Sequence, residues 1–354
     1  LISNSFVFFM PRLFVLLLAF CALTGGYAQT CDMVVLKGEV GKQHYFSRQV
    51  PAGNYSGLTR MGGDQYLMVS DKGAEDGFFF LSVQLDSLKG KLLEVRVDSF
   101  VTVGTSKGDV EGVAFLPETN TVLLSREADL RVVEYRLDGK PTGRELAVPV
   151  WQKRIRRNYG FEALTYQQAT RLIWTATEST LPADGDATTA TNGVRNRIRL
   201  QSFGEDFLPR NSYAYEMDAP SVSQSARIYI MGVSELVALP DGSLLVLERE
   251  VFIPKKKLGA FCQCKLYQVF PAQGEAVTND SPLTAQSPFL SKSLVCQWKT
   301  RLNLLHQDFA NYEGVCLGPV LCDGSLLLLL CADSQNQESG ILRDWFLPVR
   351  LSRR

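Results

Sequence analysis

Only two histidines, His44 and His306, occur in 354 residues, which leaves little material for imidazole-based catalysis. There is no Gly-x-Ser-x-Gly elbow and no His-Glu-x-x-His motif. Ser56 lies in Tyr55-Ser56-Gly57, but no motif places a histidine to activate it, which argues against a serine hydrolase. His306 reads as a loop histidine rather than a base. Charge of one sign is also lacking, since 37 Lys and Arg balance 37 Asp and Glu. With no basic stripe or tail, a nucleic-acid binder is not expected.

Zinc spacing is absent too. Cys262-Gln263-Cys264 with the distant Cys296 has neither a histidine nor a fourth cysteine placed to complete a site, so buried or disulfide-bonded thiols are expected there. At the N-terminus, Met10-Pro11-Arg12 gives a short basic start, Leu13 to Leu23 an apolar core, and Gly26-Tyr27-Ala28 small residues before Gln29. That pattern predicts a signal peptide over 1–28, with 1–9 read as a spurious upstream extension. A membrane anchor is the other reading, but the apolar core is short for a span. Cleavage after Ala28 predicts export to the periplasm or outside the cell, with no transmembrane helix in the mature chain. Export permits disulfides. The cysteines left are Cys31, Cys262, Cys264, Cys296, Cys316, Cys322 and Cys331, an odd number, so one stays unpaired or bonds another chain.

What the chain does have is one sentence spelled five times: an acid-bearing strand start, a turn, and an apolar strand closing on a charged residue. It runs from Tyr55-Ser56-Gly57-Leu58 to Ser70-Asp71-Lys72, and from Val110-Glu111-Gly112-Val113 to Arg126-Glu127. It recurs from Phe161-Glu162-Ala163-Leu164 to Glu178, and from Val233-Ser234-Glu235-Leu236 to Glu248-Arg249. The last copy runs from Tyr312-Glu313-Gly314-Val315 to Asp333. Further alternating runs after each pair make four short strands per repeat, the pattern of a propeller blade. Leu181 to Asn196 and Pro271 to Ser291 read as loops inside the pattern. The fold class is therefore all-β, a single β-propeller over 29–354, with five repeats visible and six blades possible. Repeat five is one strand short, and the run from Met33 is expected to supply it and close the ring.

The repeated acids carry the functional reading. An Asp241-Gly242 turn of two residues would set Glu235 opposite Glu248, and an Asp323-Gly324 turn would set Cys316 opposite Cys331, a possible disulfide. Glu111 with Glu127, and Glu162 with Glu178, look like similar pairs. Opposed carboxylates repel unless a cation, an arginine or a proton lies between them. Acids at strand ends around a channel mouth would form an oxygen-rich site for Ca²⁺, with Asp71, Glu111, Glu162, Glu235, Glu248 and Glu313 as candidate ligands. Lys72, Arg126 and Arg249 are candidates to receive substrate oxygens, or else to pair with the acids structurally.

The segments Tyr55-Ser56-Gly57-Leu58 to Ser70-Asp71, Val110-Glu111-Gly112-Val113-Ala114-Phe115, Glu235 to Arg249, and Tyr312-Glu313-Gly314 together resemble the phytase-like family, "esterase-like activity of phytase". The resemblance spans roughly Ala52 to Leu347 and implies six blades, export, and hydrolysis of a small-molecule ester or phosphate ester. The acidic signature of calcium-dependent propeller phytases is not matched by Asp71-Lys72-Gly73-Ala74-Glu75-Asp76-Gly77. The alternative is a non-catalytic propeller whose channel mouth binds a ligand or partner.

Overall fold

The computed structural model describes residues 32–104, 108–149, 155, 160–304, 307–338 and 342–354. The leader at 1–28, Cys31 and His306 lie outside them. Two short strands, β1 (Val34–Leu36) and β2 (His44–Tyr45), precede the first sheet. Blade one holds β3 (Tyr55–Gly62), β4 (Gln65–Ser70), β5 (Asp76–Leu85) and β6 (Leu92–Gly104). Blade two holds β7 (Val110–Leu116), β8 (Thr121–Arg126), β9 (Arg131–Arg136) and β10 (Pro141–Glu145). Blade three holds β11 (Phe161–Gln167), β12 (Leu172–Thr177), β13 (Arg197–Phe203) and β14 (Pro209–Glu216). Blade four holds β15 (Ile228–Ala238), β16 (Leu244–Ile253), β17 (Ala260–Val269) and, after the short β18 (Ala276–Val277), β19 (Lys292–Leu302). Blade five holds β20 (Asn311–Val320), β21 (Leu326–Asp333) and β22 (Trp345–Arg353).

Five antiparallel sheets result, and no α-helix occurs among the described residues. The protein is a five-bladed β-propeller. Inner strands β3, β7, β11, β15 and β20 contact one another in that order, and β20 returns to β3. The fourth strand of blade five is β1, with Val34 opposite Arg353. Apolar side chains between the blades form the core. Tyr55, Phe161 and Tyr312, each fully buried one residue before the motif position, anchor the inner strands there.

The inserted loops are built rather than slack. Buried Asp184 takes two hydrogen bonds from the Arg199 guanidinium, both 2.8 Å, and a third from the Leu283 N–H at 2.7 Å. Arg199 also reaches the carbonyls of Thr278 and Ser281, so the loop of 181–196 and that of 271–291 share one buried ion pair. β18, inside the second loop, adds a strand to the outer edge of β14.

Hairpin register departs from the expectation in two steps. Leu239 N–H bonds the Ser243 carbonyl, and Leu321 N–H bonds that of Ser325, so three residues rather than two make each turn. Gly242 and Gly324 take the left-handed position of such a loop, at φ 89 and φ 77. A β-bulge then adds a second shift at the motif of every blade. Glu235 therefore stands opposite Leu247, and Glu248 opposite Val233. In blade five a further shift between Leu317 and Val320 leaves Cys316 facing Leu329 and Cys331 facing Gly314, so the expected cross-strand cysteine pair does not form; both are buried free thiols. Cys262 and Cys264 are free as well, with their sulfurs 3.8 Å apart.

Candidate functional site at the acidic channel mouth

The bulges decide which motif residue turns toward the channel. Ser56, Glu111, Glu162, Ser234 and Glu313 are without a cross-strand partner at the bulge; the next residue resumes the ladder in four blades, and in blade two it resumes at Val113, after Gly112. In blade four that next residue is Glu235, where the other blades carry Gly57, Gly112, Ala163 and Gly314. One turn outward, the ends of the second strands place Asp71, Glu127, Glu178, Arg249 and Asp333 at equivalent levels. The Asp71 and Glu127 N–H groups bond the carbonyls of Asn54 and Asp109, Glu178 lies over Gly160, and Arg249 and Asp333 face Gly232 and Asn311. This mouth gathers carboxylates from blades one, two, three and five, with Arg249 in the acid's place in blade four.

Arg249 is the internal compensator. Its guanidinium pairs with Glu178 and Glu313 and donates to Asn311 Oδ1 at 3.1 Å, and Asn311 in turn donates to Glu313 at 2.8 Å. Burial opposes the arginine's charge, but the carboxylates of Glu313, Glu178 and Glu162 hold its pKa well above the ordinary value. Burial pushes Glu313 up to about 8, with Arg249 opposing the rise. Lys72, at a left-handed φ of 51, pairs with Asp71; burial lowers its pKa, but that pair and the charges of Glu111 and Glu127 raise it overall.

Glu111 and Glu162 have no such ion-pair partner, although the charge of Arg249 opposes the rise at Glu162. Both are buried, and neither carboxylate has a hydrogen bond or ion pair among the described residues. Burial, then the charges of Glu162, Asp71 and Glu313, push Glu111 well above the carboxylate range; burial, then Glu178 and Glu313, do the same to Glu162. Burial likewise raises Glu127, against a hydrogen bond from the Gly160 N–H at 3.0 Å.

The other expected site residues are elsewhere. Glu235 is buried in mid-channel, where Oε1 accepts from the N–H groups of Leu164 at 2.9 Å and Leu236 at 3.0 Å. Glu248 points away from the channel into a network with Tyr215, Lys292 and the Asp218 N–H. Arg126 turns toward Asp129 and Tyr135 on the blade's flank. Neither Glu248 nor Arg126 joins the ring. Glu127, Glu178 and Asp333 do join it, and their signal was the acid that closes each second strand. Ca²⁺ favours such carboxylate oxygens, and the partnerless Glu111 and Glu162 fit a divalent cation chemically. Among the described residues, no group of three or more His, Cys, Asp or Glu is arranged to hold a metal ion by itself.

Residues 50–335 match the phytase-like family, described as esterase-like activity of phytase. The chain belongs to that family. No curated protein matches it in sequence. Among solved structures, a DUF4221 family member from Bacteroides vulgatus is similar, with 7% identity, 91% of this chain and 98% of that one covered, and a TM-score of 0.41. A luciferin-regenerating enzyme shares 12% identity over 90% of this chain and 95% of that one, with a TM-score of 0.40. The nidogen/laminin complex structure shares 11% identity over 88% and 95%, with a TM-score of 0.39. Likenesses at this level say nothing of chemistry.

Proposed function

We propose that this phytase-like propeller is an exported hydrolase of esters or phosphate esters that works at the acidic mouth with Ca²⁺. The observation that supports it most is the pair of buried carboxylates, Glu111 and Glu162, left without partners on adjacent inner strands while Arg249 satisfies their neighbours. These two would hold the ion, with water and substrate oxygens completing its shell. When bound, Ca²⁺ neutralises charge on a phosphate oxygen and acidifies water. Lys72, whose side chain is exposed, receives a second phosphate oxygen, and Glu127 accepts the proton of the attacking water. Arg249 holds Glu178 and Glu313 and contacts no substrate. Export rests on the leader-like residues 1–28.

The test is turnover of p-nitrophenyl phosphate and p-nitrophenyl acetate with Ca²⁺, with chelator, and in Glu162→Gln. Activity that needs Ca²⁺ and is lost in the variant supports the reading. No turnover on a broad panel of phosphate, carboxylate and lactone esters overturns it. The scarcity of histidine and the locked Arg249 favour one other reading, a propeller that binds its ligand at this mouth without turnover. Calorimetric binding of a non-hydrolysed phosphate ester would then be the positive result.

A further inference from the structure

The channel has a second end, unlike the first. The inner strands approach one another to backbone contact just past the bulges. A Cβ on Gly57 would lie 2.6 Å from the Glu111 carbonyl oxygen, one on Gly112 2.8 Å from that of Glu162, and one on Gly314 3.1 Å from the Gly57 backbone. Between β11 and β15 the Glu235 side chain fills the gap, bonded to the free edge of β11 through the Leu164 N–H. Beyond this waist the five inner strands diverge into a cavity of about 730 Å³, a volume suited to a small organic molecule. Its wall is mixed, with apolar Leu58, Met61, Phe115 and Leu317 set among the polar side chains of Thr59, Thr165, Gln167 and Gln168.

The charge of this cavity is the reverse of the acidic mouth. Arg60 is its one charged lining residue, and no carboxylate lines it. Arg60 makes no ion pair among the described residues; its guanidinium is steadied by two hydrogen bonds to its own turn, at 3.1 and 2.9 Å to the Gly63 carbonyl. Behind it the Tyr66 hydroxyl is fully buried near Gly318 of the cavity wall and does not itself line the cavity. A guanidinium without a carboxylate partner, at a carboxylate-free cavity with Leu58, Met61, Phe115 and Leu317 in its wall, has the complement of an anion on a partly apolar body.

We infer that this cavity is a second binding site, separate from the acidic mouth, for a small amphipathic organic anion whose head meets Arg60 and whose apolar body fills the cup. The strand-edge backbone and the threonine hydroxyls give it shape.

The test uses the fluorescent sulfonate 1-anilinonaphthalene-8-sulfonate and its uncharged counterpart N-phenyl-1-naphthylamine. The parent protein should bind one sulfonate per chain, saturably and equally with Ca²⁺ or chelator. Arg60→Gln should weaken the sulfonate about tenfold or more, as loss of a charge-assisted hydrogen bond requires, and leave the uncharged probe unaffected. Ala238→Phe, which adds bulk to a half-buried lining position, should abolish binding of both. Should that variant fail to fold, Ala169→Trp at the exposed rim serves instead. Absence of saturable binding, or an unchanged affinity in either variant, overturns the proposal. Binding of the sulfonate that disappears with chelator would assign it to the acidic mouth and overturn the proposal equally.

Discussion

Arg249 and Glu178 form an ion pair in which the two side chains are only 3% and 5% exposed. A buried pair of this kind contributes little as a pair, but losing one partner strands the other charge. Here the arginine serves Glu313 as well, and its field reaches Glu162. Arg249→Met keeps the stem and removes the charge. It should lower the free energy of unfolding at neutral pH by about 3 to 5 kcal/mol, measured by urea denaturation, and the loss should shrink in acid as the stranded carboxyls protonate. A variant as stable as the parent would mean that water, not the arginine, relieves these acids.

The pH dependence has a definite sign. Glu111, Glu162 and Glu313 hold protons more tightly when folded than unfolded, chiefly because of burial. Between the ordinary value of 4.5 and about 8 for Glu313, the folded chain therefore binds more protons, and stability falls as pH rises. Asp218 works in the opposite sense, below its ordinary 3.8: burial raises it, but Lys265, Lys292 and Tyr267 bring it lower overall. Urea midpoints in chelator should be higher at about pH 5 than at about pH 8. Glu111→Gln with Glu162→Gln should flatten that slope, and so should Ca²⁺ if it binds there. A midpoint that rises across this window would contradict the electrostatic account of the ring.

The blade pattern was legible because strand alternation and the five repeated openings are local properties of the sequence. The ring was only half legible. Glu111, Glu162 and Glu313 announce themselves as acids before a small residue, but Glu235 imitates them one position late, where the other blades have glycine or alanine. Register failed for a physical reason as well. In Asp241-Gly242-Ser243 and Asp323-Gly324-Ser325, the aspartate Oδ1 accepts from the serine N–H at 3.0 Å in both turns. The serine after Asp-Gly is the sequence sign of the longer loop, and it moves every facing residue by one. Arg249 could be seen at a strand end, but its role depends on two other blades, which no local pattern reports.

The glycine waist offers a packing test. Gly57→Ala would place its Cβ 2.6 Å from the Glu111 carbonyl oxygen and 3.1 Å from the Val113 nitrogen, both backbone atoms of the neighbouring inner strand. Forcing the two strands apart should cost about 1 to 3 kcal/mol. Ala163 already carries a Cβ at the equivalent level, so Ala163→Gly should cost only about 1 kcal/mol or less. Thermal melts of the two variants compare the sites directly. Equal, small losses would show that the inner strands can part at this level without strain.

Glu235 gives the sharpest contrast between a functional and a structural acid. Burial pushes its carboxyl well above the ordinary range, against the hydrogen bonds from Leu236 and Leu164, while Oε2 has no partner. A neutral carboxyl that accepts two backbone N–H groups can be replaced by an amide, whose oxygen accepts the same bonds. Glu235→Gln should therefore stay within about 1 kcal/mol of the parent. Glu235→Ala leaves the Leu164 and Leu236 N–H groups without that acceptor and opens a void, for a loss of about 2 to 4 kcal/mol. Stabilisation by Ca²⁺, about 2.7 kcal/mol at a hundred times its dissociation constant, should persist unchanged in Glu235→Gln and weaken in Glu162→Gln. If the Glu235 variant instead loses that response, the ion sits at mid-channel and the assignment to Glu111 and Glu162 is wrong.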